Sequence, residues 1–153
     1  SLRKGIVLAV NKWDLIEKDS YTADAFEKEL MEALRIYSYV PVIFISAKTR
    51  QRVYKTLDLV IDIHHERQRT VKTSALNDFL RKAIAKQPPP SLLQRREIKI
   101  NYCTQVKSKP PVFAFFCNYP EAIKRNYRLY LEKSFRNKFG FAGVPLSLSF
   151  RKK

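Results

Sequence analysis

The chain has 153 residues, 45% of them hydrophobic and 12% aromatic, enough for one ordinary domain or two small ones with a real core. No run approaches the roughly 20 apolar residues that span a bilayer, and Ser1-Leu2-Arg3-Lys4-Gly5-Ile6 lacks the apolar stretch of a secretory signal, so the expectation is a soluble, cytoplasmic protein with no membrane partner. The net charge is +16 but unevenly placed: residues 1–70 carry 12 Lys and Arg against 10 Asp and Glu, while residues 71–153 carry 18 against 4, which makes a polyanion the expected neighbour of the second half only.

Gly5 to Val10 is an unbroken apolar run, the pattern of a strand buried on both faces of a parallel sheet. The segment 22–37 places Phe26, Leu30, Leu34 and Tyr37 at helical spacing, with Thr22 as N-cap and Asp24 and Glu27 in the first turns. A second buried strand is expected over 40–46, then a helix over 52–69 that turns Val53, Leu57, Val60 and Ile61 inward. Strand, helix, strand, helix is the repeating unit of doubly wound α/β sheets.

The rhythm then changes near residues 68–73. Residues 73–87 read as a capped amphipathic helix stopped by Pro88-Pro89-Pro90. Two strands follow, 97–106 and 110–118, and the first is expected to alternate Ile98, Ile100 and Tyr102 against Lys99, Asn101 and Cys103. Helical sequence runs from Pro120 to about Gly140, and 145–150 is a last strand, giving an αββααβ order with one exposed sheet face. The two cysteines, Cys103 and Cys117, lie in apolar strands and read as reduced core residues. His64 and His65 fall at a helix end and suit its dipole, with no third metal ligand at a useful spacing. Tyr127, Tyr130 and Phe135 share a helical face and read as core.

Asn11-Lys12-Trp13-Asp14 follows the first strand, where ligands collect in such sheets. Guanine offers two adjacent donors that one carboxylate can accept together, the role expected of Asp14, while adenine would set a lone pair against it. Asn11 suits the acceptor edge of the base and can tether a neighbouring loop; the stem of Lys12 can lie along the base plane, and Trp13 reads as packing. Ser46-Ala47-Lys48 follows the next strand, where its backbone amides can meet the guanine carbonyl oxygen. There is no Gly-x-x-x-x-Gly-Lys-[Ser/Thr], and the three glycines, Gly5, Gly140 and Gly143, cannot build a phosphate cradle.

Asn-Lys-Trp-Asp followed by Ser-Ala-Lys resembles the guanine-recognition pair of translation-factor-class GTPases. Further markers are Leu76-Asn77, the proline run, Tyr102 with Thr104-Gln105-Val106, Pro110-Pro111, Asn118 with Pro120, Tyr127-Arg128, Tyr130-Leu131, and Phe139-Gly140-Phe141 before Pro145 and Phe150-Arg151. With these, essentially all 153 residues are similar to the C-terminal part of the Der (EngA) family of bacterial GTPases. Gln94 departs from the glycine expected there. The resemblance implies a partial P-loop GTPase-type doubly wound sheet over 1–70, the guanine-recognition half of a second G domain. Over 71–153 it implies an α+β KH-like domain without the usual Gly-x-x-Gly loop.

It further implies a piece of a longer protein that acts in large ribosomal subunit assembly and binds GTP or GDP, with phosphates and magnesium held by a part outside these residues. This chain alone is then expected neither to hydrolyse GTP nor to need a cofactor, and its uncovered sheet to favour self-association. Ribosomal RNA is the expected polyanion, and the residues expected to contact it are Lys107 and Lys109 in a hairpin, Lys124, Arg125 and Arg128 in a helical turn, and Arg151, Lys152 and Lys153 at the end. The other reading is a free-standing RNA-binding module whose Asn-Lys-Trp-Asp is only a structural loop.

Overall fold

The computed structural model describes residues 3–16, 20–33, 39–90 and 97–152, and for 20–24 and 27 the backbone alone. Leu34, Tyr37, Gln94 and Lys153 therefore lie outside the described residues. The chain divides into two compact units, Ser1–Glu66 with Ala142–Val144, and Arg67–Phe141 with Pro145–Lys153.

In the first unit, β1 (Leu8–Val10) and β2 (Val42–Phe44) pair in parallel, Leu8 opposite Val42 and Val10 opposite Phe44. The expected strand over 5–10 contracts to three residues, and it is not buried on both faces: Ala9 is exposed and Ile6 is 41% exposed. Two strands give each other one hydrogen-bonded edge and cannot cover both faces. α1 (Ser20–Ala33) starts two residues before Thr22, which therefore lies inside the helix and not at its N-cap. α2 (Val53–Gln68) also differs in its inward face. Leu57, Val60 and Ile61 are exposed; Val53, Thr56 and Leu59 are half-buried and Ile63 is buried. The covered stripe thus runs 53, 56, 59, 63, one helical ridge away from the expected one, because Ile63 seats against glycines. A Cβ on Gly143 (φ +69°) would lie 2.4 Å from Ile63 Cδ1, and one on Gly5 2.5 Å from Ile63 Cγ2. Trp13 packs on Phe44 at 4.2 Å between ring centroids and is 8% exposed.

In the second unit, α3 (Thr73–Lys86) opens without a side-chain cap, contrary to the capped start its sequence suggested. β3 (Ile100–Ser108), β4 (Pro111–Cys117) and β5 (Ser147–Lys152) form a sheet in that order, β3–β4 antiparallel and β4–β5 parallel. A short 3-10 turn at Pro120–Ala122 precedes α4 (Arg125–Phe139). Phe113, Phe115, Cys117, Leu131, Phe135 and Leu76 are fully buried and form the core between the sheet and the helices, with Phe79 edge-on to Phe135. Both cysteines are free, as read, and burial pushes the Cys103 thiol up to about 12.

The expected alternation along β3 breaks at Asn101. The register slips between Ile100 and Tyr102, so Ile100 and Cys103 face the core while Tyr102 turns outward. A bulge inserts one residue and reverses every later face, which strict period-two reading misses. Three side-chain amides then tie the sheet to the neighbouring backbone. Asn77 Nδ2 donates to Cys103 O and Thr73 O while its Oδ1 accepts from Cys103 N. Gln105 Nε2 donates to Arg69 O and its Oε1 accepts from Val71 N. Asn118 links Lys99 N and Glu97 O in the same manner. Each satisfies edge-strand or loop groups that the ladder cannot reach.

Candidate functional site

Two loops converge at the carboxyl ends of β1 and β2. After Val10 the chain turns through Lys12, whose φ of 65° and ψ of 30° are left-handed, into a 3-10 turn at Trp13–Leu15. Trp13 N–H bonds Ile45 O and Ile45 N–H bonds Val10 O, which fixes the first loop against the second. Ser46 is fully buried and donates its hydroxyl to Asp14 Oδ1 at 2.6 Å, while Thr49 N–H bonds the same hydroxyl oxygen at 3.1 Å. Asn11 Oδ1 accepts from Ala47 N–H at 3.1 Å. The structure therefore brings Asn11, Asp14, Ser46 and Ala47 into one hydrogen-bonded corner, with Lys12 and Lys48 exposed at its rim.

The corner's remaining valences are specific. Among the described residues, neither Asp14 Oδ2 nor the Asn11 Nδ2 amine has a side-chain hydrogen-bond partner, so the corner offers both an acceptor carboxylate and a donor amide. Of the three backbone amides in Ser46-Ala47-Lys48, Ser46 N–H bonds Gln51 O and Ala47 N–H bonds Asn11, which leaves Lys48 N–H without an acceptor among the described residues. The Ser46 hydroxyl, joined by the Asp14 backbone and the charges of Lys48 and Lys12, holds the Asp14 carboxyl below its ordinary value against partial desolvation. It is thus a carboxylate, and an acceptor only, across the neutral range.

The basic residues of the second unit form two groups. Lys124 and Arg125 stand exposed at the start of α4, whose first turn contains no acid, and the amides of Arg125 and Asn126 bond no acceptor among the described residues. Arg128, in the same turn, is already engaged: its Nε bonds Ile123 O at 2.9 Å, one terminal nitrogen bonds Pro120 O at 3.2 Å, and the guanidinium lies 4.7 Å from the Phe150 ring centroid. It closes the turn that presents Lys124 and Arg125. Lys152 pairs with Cys117 and Arg151 with Phe116 at that same end of the sheet, on opposite faces. Lys107 and Lys109 lie at the far end, where Lys107 pairs with Val112, five residues or roughly 16 Å along β4 from Cys117. Among the described residues, the expected contacts are not one patch.

Tyr127 and Phe135 are core, as their spacing suggested; the Tyr127 hydroxyl bonds Gln87 O and that of Tyr130 bonds Ala83 O. Among the described residues, no group of three or more His, Cys, Asp and Glu could hold a metal ion, and no helix is long and apolar enough to cross a membrane. Tyr102, read inward from the sequence, is found outward. Its signal was the polar Asn101 beside it, at the bulge.

Residues 70–151, more than half of the chain, match the family described as "KH-domain-like of EngA bacterial GTPase enzymes, C-terminal". The chain is 48% identical over 151 residues to the GTPase Der of Chloroherpeton thalassium, covering 99% of this chain and 34% of that protein. It is 48% identical over 148 residues to the GTPase Der of Chlorobium chlorochromatii, covering 97% and 33%, and 44% identical over 151 residues to that of Cytophaga hutchinsonii, covering 99% and 34%. It spans about a third of the length of these relatives. Helix, antiparallel hairpin, helical turn, helix and parallel return strand are thus the KH-like order, and the chain belongs to the family of KH-domain-like C-terminal domains of EngA bacterial GTPases.

Proposed function

We propose that this chain is the guanine-recognising and RNA-contacting end of a GTPase that acts in large ribosomal subunit assembly. Residues 1–70 supply the back half of a P-loop GTPase-type α/β domain, and 71–153 the KH-like domain. The observation that carries the reading is the cross-strand corner in which Asn11 and Asp14 are each locked by the Ser46-Ala47 loop. A guanine set there donates its N1 and N2 hydrogens to Asp14 and receives a hydrogen bond from Asn11 or from Lys48 N–H on its acceptor edge. Phosphates and magnesium of GTP or GDP are held by the part of the protein that the relatives carry beyond this third. The protein works in the cytoplasm, and the sheet of the first unit, half-exposed in this chain, favours pairing with another copy.

Ribosomal RNA docks first on Lys124 and Arg125, where side-chain charge adds to unpaired amides at the positive end of α4. Arg128 positions that turn and is not itself the main contact. Filter binding of ribosomal RNA at several salt concentrations tests this. Lys124→Glu with Arg125→Glu should weaken binding and flatten the dependence of log affinity on log salt, which falls by ~0.7 to 0.9 per neutralised phosphate. Lys28→Glu with Lys55→Glu, both exposed in the first unit, should change little. Equal losses from the two pairs would leave the basic half as ordinary soluble surface.

A further inference from the structure

We infer a second nucleic-acid contact, separate from the α4 turn: a base-stacking site for single-stranded RNA on the outer face of the β3–β4–β5 sheet, built on Tyr102, Phe116 and Arg151. The three are register partners in one row across the sheet, Tyr102 opposite Phe116 and Phe116 opposite Arg151. The two rings lie 4.5 Å apart and 11° from parallel, so each covers one face of the other. Tyr102 is 37% exposed and stands on β3, an edge strand of the sheet. The next row along the same face, Thr104, Ala114 and Ser149, carries only short side chains, with Ala114 fully buried.

Cross-strand aromatic pairs are common stabilisers of sheets. That role does not account for the hydroxyl. The half-buried Tyr130 and the buried Tyr127 each donate to a backbone carbonyl, whereas the Tyr102 hydroxyl bonds nothing among the described residues. A flat aromatic face, an unused hydroxyl and an exposed guanidinium in one row suit a nucleobase with its phosphate: the base continues the stack on Tyr102, and Arg151 meets the backbone. Charge selects this occupant over an apolar protein surface, because the half of the chain that bears the row carries 18 basic and 4 acidic residues.

The test uses the full chain and two fluorescent probes of equal length and charge, a short oligoadenylate and the same ribose-phosphate backbone without bases. The oligoadenylate should bind about 5- to 150-fold more tightly than the abasic probe, the contribution of one stacked base. Tyr102→Leu should remove that preference and leave the salt slope unchanged, whereas Tyr102→Phe should keep it. Lys124→Glu with Arg125→Glu should do the reverse, so this site and the α4 site fail independently. Should Tyr102→Leu not fold, the ring protons of Tyr102 in the unmodified chain should still move upfield with oligoadenylate and not with the abasic probe. Equal affinity for the two probes, or stationary Tyr102 protons, overturns the inference. So does self-association in sedimentation that Tyr102→Leu abolishes, which would give the face to a second copy.

Discussion

Asn77 offers the sharpest test of how the KH-like sheet is held. Its side chain makes three hydrogen bonds to backbone, two of them to the N–H and C=O of Cys103, a residue with 0% exposure. Asn77→Ala strips the partner from both. A neutral hydrogen bond contributes about 1 kcal/mol net, but an orphaned buried group costs about 1–3 kcal/mol, so the loss should be about 2–4 kcal/mol. Against a total of about 5–15 kcal/mol for a domain, that moves a urea midpoint down by about 1–2 M. Asn77→Asp is more telling. It keeps the acceptor for Cys103 N–H but turns a carboxylate oxygen toward two carbonyl oxygens. The folded state then favours the protonated acid, whose carboxyl is raised above its ordinary value, so this variant should gain stability as pH falls through that raised value. Circular dichroism and amide exchange at Cys103 follow the second unit, while the lone tryptophan, Trp13, reports the first and should keep its transition. A midpoint shift below about 0.3 M for Asn77→Ala, or an Asn77→Asp chain as stable as the parent at neutral pH, would refute the clamp.

Alkali should weaken the second unit through Cys103 and Tyr127, both raised to about 12, chiefly by burial and for Tyr127 also by Tyr130. Only the unfolded chain releases the Cys103 proton between about pH 9 and 12 and the Tyr127 proton between about pH 10 and 12, so within each window stability falls by up to about 1.4 kcal/mol per pH unit for that group. Urea midpoints from pH 8 upward should show this, with a shallower slope in Cys103→Ala. In α2, Ile63→Ala should lower the first unit's melting temperature, since it opens a cavity beside Gly5 and Gly143, whereas Leu57→Gln should stay within about 0.5 kcal/mol. A Leu57→Gln penalty as large as that of Ile63→Ala would restore the inward face first expected for the helix.

Much of this was legible because short-range rules govern it. Proline stops α3 by chemistry, Gly140 ends α4 with a positive φ of 79°, and apolar runs without alternation predict a parallel pair. Asn11, Asp14 and Ser46 could be named because each motif follows its own strand. What escaped was set by tertiary packing. The α2 face depends on which ridge meets two glycines distant in sequence, and the amphipathic pattern allowed either. The outward turn of Tyr102 depends on one bulge at Asn101, invisible to period-two counting. Arg128 reads beside Lys124 and Arg125 as an RNA contact, and nothing in sequence shows its guanidinium bonded to Ile123 and Pro120 and set over Phe150.

The account stands most directly on Asp14. Placed in the Chloroherpeton thalassium GTPase Der in exchange for the third it matches, this chain should support guanine-nucleotide binding, measured by competition against a fluorescent GTP analogue. Asp14→Asn replaces a pure acceptor by a group that also donates, so the variant should lose GTP affinity by about tenfold or more and prefer xanthosine triphosphate, whose base carries an acceptor oxygen in place of the amine. A variant that binds GTP as well as the unsubstituted chimera and gains no affinity for xanthosine triphosphate would remove Asp14 from base recognition, and the reading of this corner as a guanine site with it.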